Sequence, residues 1–113
     1  MTVLELSDAQ LNAYNAADID TFCACFHPDV VVLDATGAPT LTGMDTFRER
    51  YAALFRDWAP AASVDARLHL EPHVVEDERW SRVHRVTGER MEGRVLVRYT
   101  AADGLIRYVA FLR

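Results

Sequence analysis

Apolar residues recur along this chain at two different periods, and the change from one to the other falls just past its midpoint. Over residues 4–17, Leu4, Leu11 and Tyr14 fall on helical spacing, and the Ser7-Asp8 step offers a cap for a start slightly later than Leu4. Asp18 caps a second, short helix in which Ile19, Phe22 and Phe26 form an apolar stripe, and Pro28 ends it. Residues 30–33, three valines and a leucine, are β-branched and short, which predicts a strand. Residues 34–39 carry loop chemistry. Gly43 and Asp45 open a third helix that reaches about Trp58. In it Met44, Phe47, Tyr51, Leu54, Phe55 and Trp58 lie at i, i+3, i+4, i+7 spacing, charged residues take the other faces, and Pro60 closes it.

From Ser63 onward the period becomes two. Val64, Ala66, Leu68 and Leu70 alternate with Asp65, Arg67, His69 and Glu71. Residues 80–87 and 94–100 continue as strands, Ala102-Asp103-Gly104 is a hairpin turn, and residues 105–112 form the last strand. The predicted order is α-α-β-α-β-β-β-β. Late strands joined by short turns pair antiparallel, and three helices cover one face of their sheet. This is an α+β class chain, and its 113 residues suffice for a single domain spanning 1–113.

Composition narrows the class of partner. Half the residues are hydrophobic and 26% are charged, a globular balance. The net charge of −5 disfavours nucleic acid, which selects basic faces. No apolar run approaches the roughly 20 residues a membrane span needs, and the first residues lack the basic and apolar regions of a signal peptide. A cytoplasmic location follows by default. Cys23 and Cys25 are read as structural thiols rather than as a metal or disulfide pair. His69, Glu71, His73 and Glu76 lack any metal-binding spacing and read as solvent-facing. No phosphate loop, nucleophile elbow or cofactor signal is present, so no cofactor and no metal are expected.

The run Tyr14-Asn15-Ala16-Ala17-Asp18-Ile19-Asp20-Thr21-Phe22, followed by Phe26-His27-Pro28-Asp29-Val30-Val31-Val32, resembles the opening of nuclear-transport-factor-2-like proteins. These include the SnoaL-like polyketide cyclases and the ketosteroid isomerases. The helix over 43–58 and the ending Tyr99-Thr100-Ala101-Ala102-Asp103-Gly104-Leu105-Ile106 resemble the same superfamily. The resemblance implies a cone-shaped α+β barrel: three helices packed on a strongly curved, mixed, mainly antiparallel sheet, with an apolar cavity at the wide end. It also implies a homodimer formed through the outer face of the sheet. Because this fold hosts many activities, it does not fix one.

Within that frame Asp34 matches the proton-shuttling aspartate of the isomerases, at the end of the first strand. The isomerases' two oxyanion donors do not carry over, because their positions fall on Gln10 and near Val95, with Tyr14 one helical turn too late. A ketosteroid isomerase with those donors is therefore excluded. Trp80, Arg82, His84 and Val86 share one strand face, which the resemblance turns toward the cavity. His84, a residue that titrates near neutrality, is the expected acid/base partner of Asp34. Arg82 either holds an anionic ligand such as a carboxylate or pairs with a local acid. Tyr14, Tyr51, Tyr99 and Tyr108 complete the expected ligand-binding set, with Tyr99 and Tyr108 both turned inward. Three functions stay open. The chain is a proton-transfer enzyme, isomerase- or cyclase-like, acting on a small apolar or aromatic molecule; a non-catalytic binder of a hydrophobic ligand; or a dimeric interaction domain.

Overall fold

A computed structural model describes residues 1–113. Three helices, α1 (Val3–Asn15), α2 (Ile19–Ala24) and α3 (Met44–Asp57), pack on six strands. The strands are β1 (Phe26–Leu33), β2 (Pro39–Thr42), β3 (Trp58–Leu70), β4 (His73–His84), β5 (Arg90–Ala102) and β6 (Leu105–Phe111). They form one sheet in the order β2-β1-β6-β5-β4-β3. All pairs are antiparallel except β1 with β6, so the sheet is mixed, and β2 and β3 remain as free edges. The expected α+β architecture is present, with an open rather than a closed sheet. No helix is long and apolar enough to cross a membrane.

Three local expectations are corrected, and one strand is added. Thr2, not Ser7, caps α1: its hydroxyl accepts from the Glu5 amide at 3.2 Å while the Glu5 carboxylate accepts from the Thr2 amide at 3.0 Å. Pro28 does not end a helix. It lies within β1, between the paired residues Phe26 and Val31, where the register shifts and its missing N–H breaks no ladder. The turn expected over residues 34–39 includes Gly37 at φ 84° and is followed by the unexpected strand β2, which takes only Pro39 from it and pairs with β1. Pro60 sits inside β3 rather than closing α3; β3 is an edge strand, where proline is tolerated.

Asp18 does cap α2, accepting from the Thr21 amide at 3.2 Å. The apolar faces of α2 and α3 meet as an aromatic cluster in which the Phe22 and Phe47 rings stack at 5.8 Å. Cys23 and Cys25 are free and buried beside it.

One irregularity decides which residues of β3 face the helices. The register shifts between Val64 and Ala66, a bulge that reverses the alternation beyond it. Val64 is paired with Glu78 on the inner face, but past the bulge it is Arg67, paired with Glu76, that faces inward. Leu68 and Leu70 are consequently turned out, at 76% and 79% exposure. The sequence alternation had placed those leucines on the same face as Val64.

Candidate functional site

The sheet's inner face and the three helices border an open-mouthed cavity of about 560 Å³, within the size range of small-molecule sites. Fourteen of its nineteen lining residues are hydrophobic, so polar groups inside it are few and their chemistry is amplified by a low-dielectric surround. Helix α1 contributes Gln10 and Tyr14, one turn apart, and α3 contributes Tyr51 from its apolar stripe. Strand β4 contributes Glu78, Trp80 and Arg82, which alternate onto one face as period two requires. Trp80 lies over Gly93 of β5, its cross-strand partner. A Cβ there would stand 2.7 Å from the indole, so the missing side chain makes room for the ring.

Glu78 is the group most altered by this environment. Burial pushes its carboxyl up to about 7, the charge of Glu76 on the same strand face adds to the rise, and a hydrogen bond from Tyr99 opposes it. Gln10 Nε2 in turn donates to the Tyr99 hydroxyl at 3.4 Å. The phenols stay protonated: burial raises Tyr14 to about 12 and lifts Tyr51 and Tyr99 further. Tyr14 also feels both Glu78, which raises it, and Arg82, which lowers it, so its hydroxyl stands in the field of both. The cavity thus combines one carboxyl poised to gain or lose a proton near neutrality with neutral O–H donors, in apolar surroundings.

Glu76 has a different part. It is fully buried. One of its carboxylate oxygens accepts from Ser7 Oγ at 2.8 Å and from Arg67 Nε at 2.6 Å, and Arg67 Nη2 reaches Asp8 at 2.5 Å. This network ties α1 to β3 and β4. It also corrects the reading of Glu76 as solvent-facing, whereas His69, Glu71 and His73 are exposed.

Of the residues expected at the site, Tyr14, Tyr51, Trp80, Arg82 and Tyr99 line the cavity, as do Gln10 and Val95, the positions matched to the isomerase donors. Asp34 and His84 are not in the lining, and the strands that carry them are separated by β6 and β5. Asp34 Oδ1 accepts from the Thr36 amide at 2.9 Å, the Thr36 hydroxyl at 2.6 Å and the Ala38 amide at 3.1 Å, bonds that hold its carboxyl below the usual range. It is a turn residue, already ionised and occupied, and poorly suited as a base. His84 Nδ1 accepts from the Val86 and Thr87 amides at 3.2 and 3.1 Å, so that nitrogen is committed to closing the β4–β5 turn. Its ring packs edge-on against Trp58, with centroids 4.9 Å apart. Val86 lies beyond the end of β4, at 89% exposure. Tyr108 is outside the lining too. On β6 it is Val109 and Phe111 that face the cavity, and Tyr108 turns to the other side, 37% exposed, beneath the Arg107 guanidinium at 4.6 Å.

Arg50, Asp57 and Glu78 line the cavity without having been expected there, and of these Glu78 is the one whose carboxyl the site perturbs. In the run Glu76-Asp77-Glu78 it looks like part of a solvated acidic patch. The signal that finds it is the alternation itself, carried two residues back from Trp80.

Fold and site together define an α+β domain with three helices on an open mixed sheet and a mostly apolar, open-mouthed cavity between them. Residues 8–109 match the SnoaL-like domain family, and the chain belongs to it. No curated protein matches the sequence. An uncharacterised cystatin-fold protein from Novosphingobium aromaticivorans superimposes with a TM-score of 0.88 at 25% identity, over 100% of this chain and 99% of its own. A putative polyketide cyclase from Pseudomonas putida gives 0.83 at 17% identity, covering 98% and 90%. An epoxide hydrolase from Mycobacterium tuberculosis, of the LEH-like type, gives 0.83 at 16%, covering 96% and 80%. These likenesses establish the fold.

Proposed function

We propose that this chain binds a small, largely apolar or aromatic carbonyl compound in the cavity and moves a proton on it, with Glu78 as the acid/base. The observation that carries this reading is a single carboxyl held at about 7 within a mostly hydrophobic lining. At neutral pH Glu78 is divided between its two forms, the condition under which one group serves as base and then as acid. The ionised carboxylate takes a proton from carbon next to the carbonyl; the C–H pair becomes a C=C bond as the carbonyl π pair moves to oxygen, giving an enolate. The neutral Tyr14 hydroxyl donates a hydrogen bond to that oxygen, one helical turn beyond Gln10, where the ketosteroid isomerases carry their donor. Protonated Glu78 then returns its proton to another carbon of the enolate. For an enolate conjugated to a second double bond the result is an isomerisation that needs no co-reactant: the double bond shifts as the proton moves from one carbon to the other.

Exchange of hydrogen for deuterium tests this without knowledge of the natural substrate. Aryl ketones such as tetralone and indanone are incubated with the protein in heavy water, and isotope uptake beside the carbonyl is followed by mass spectrometry. The expected uptake is about 10²-fold faster than without protein, the low end of general acid–base catalysis, and Glu78→Gln brings it to background. Ketones that bind without accelerated exchange would instead make the domain a non-catalytic binder.

A further inference from the structure

Arg82 is a cation in the cavity lining that forms no ion pair, the lining acid Asp57 being paired with Arg56 instead. Its guanidinium carbon lies 4.8 Å from the centroid of the Trp58 ring and 5.5 Å from that of Trp80. Indole faces attract a cation but accept no ordinary hydrogen bond from it. Arg82 Nε is buried with no hydrogen-bond partner, and Nη2 meets only the Met91 sulfur, a weak acceptor, at 3.5 Å. None of the ion pairs in the chain includes Arg82. Nor is its charge spent on Glu78, whose carboxyl is governed by burial, Glu76 and Tyr99. A half-buried guanidinium with an unsatisfied N–H is costly to maintain, and its planar fork of donors fits a carboxylate better than any neutral group.

We infer that Arg82, clamped between Trp58 and Trp80, is an anion subsite, and that the ligand of this cavity is an apolar or aromatic acid whose carboxylate sits on Arg82. This rests on the reading of the cavity as a small-molecule site and names the ligand's class. Arg82 and Glu78 are four residues apart on one strand face, about 13 Å along the backbone. The ligand is therefore elongated, with its anionic end on Arg82 and its reacting carbon at the Glu78 end. Arg82 fixes the orientation and takes no part in the proton transfer.

The chain's only two tryptophans are the two that flank Arg82, and both line the cavity, so tryptophan fluorescence reports on ligand binding there. Hydrocinnamate and its neutral isostere hydrocinnamide are titrated into the protein near pH 6, where the ligand carboxylate is ionised and Glu78 is largely neutral. The carboxylate is expected to bind at least about tenfold more tightly than the amide, the margin of one charge-assisted contact. Arg82→Gln should abolish that preference, and Arg82→Lys, which keeps the charge but not the fork, should keep part of it. Equal binding of the two probes to the unsubstituted protein would overturn the anion subsite while leaving the cavity reading intact. That comparison needs no variant, so it decides even if Arg82→Gln fails to fold. Binding of neither probe would overturn the subsite together with the cavity reading beneath it.

Discussion

A carboxyl whose folded state holds a proton more tightly than its unfolded state makes stability depend on pH in a definite direction. Glu78 rises from an ordinary 4.5 to about 7 on folding. Between those values the folded chain retains a proton that the unfolded chain has lost, so stability falls as pH rises through this window and levels off above it. The full span amounts to about 3 kcal/mol. The lowered carboxyls of Asp18, Asp34 and Asp77 act with the opposite sign and below this window, where stability is lost as pH falls. Urea denaturation at pH 5 and pH 8 should therefore show the protein more stable at the lower pH, with Glu78→Gln more stable than the parent at pH 8 and nearly flat between the two. A Glu78→Gln variant with the parent's slope would remove Glu78 as the source. At this scale the sequence is a poor guide to chemistry. Asp34 and His84 carry suitable side chains at suggestive positions, but each is claimed by backbone amides of its own turn, a local competition that residue type does not reveal. Glu78 was concealed because its acidic neighbours Glu76 and Asp77 suggest water, although Asp77, pointing the other way, is the one that pairs with Arg94 on the outside.

At the scale of elements, the bulge in β3 determines what the sheet can offer its helices. Without it Leu68 would continue inward from Val64. With it Arg67 turns in and forms an ion pair with the buried Glu76 carboxylate at the base of α1. Removing one partner of such a pair strands the other, a loss usually worth about 3 kcal/mol or more. Arg67→Met should destabilise the chain by roughly that amount in equilibrium denaturation. A loss of a few tenths would mean that Glu76 is solvated or neutral in the folded protein. Alternation along β4 and β5 was legible from the residues: Trp80 and Arg82 reach the cavity, as do Val95 and Tyr99. The parity of β3 and β6 was not, because a single inserted residue inverts every position beyond it, and no residue type marks the bulge. The short strand β2 was hidden for a related reason. Its threonines and proline are turn-forming residues, and pairing with β1 supplies the structure that their own propensity does not.

For the whole molecule, the legible part was the division of labour. Helical spacing in the first half and period two in the second predicted three helices against one sheet, and the resemblance to nuclear-transport-factor-2-like proteins supplied the hollow between them. What the sequence could not convey is which polar groups the folded chain leaves inside. That depends on long-range geometry: α1 brings Gln10 to Tyr99, 89 residues away, and Tyr99 to Glu78 across the β4–β5 ladder. The assembled fold thereby holds one carboxyl of the cavity, that of Glu78, near neutrality. Carboxyl carbon-13 resonances of the glutamate-labelled protein, assigned through Glu78→Gln and followed from pH 4 to pH 9, measure it directly. The predicted midpoint for Glu78 is about 7, falling when Glu76→Gln removes the neighbouring charge that helps to raise it. A midpoint at the ordinary 4.5, unmoved by Glu76→Gln, would contradict the account.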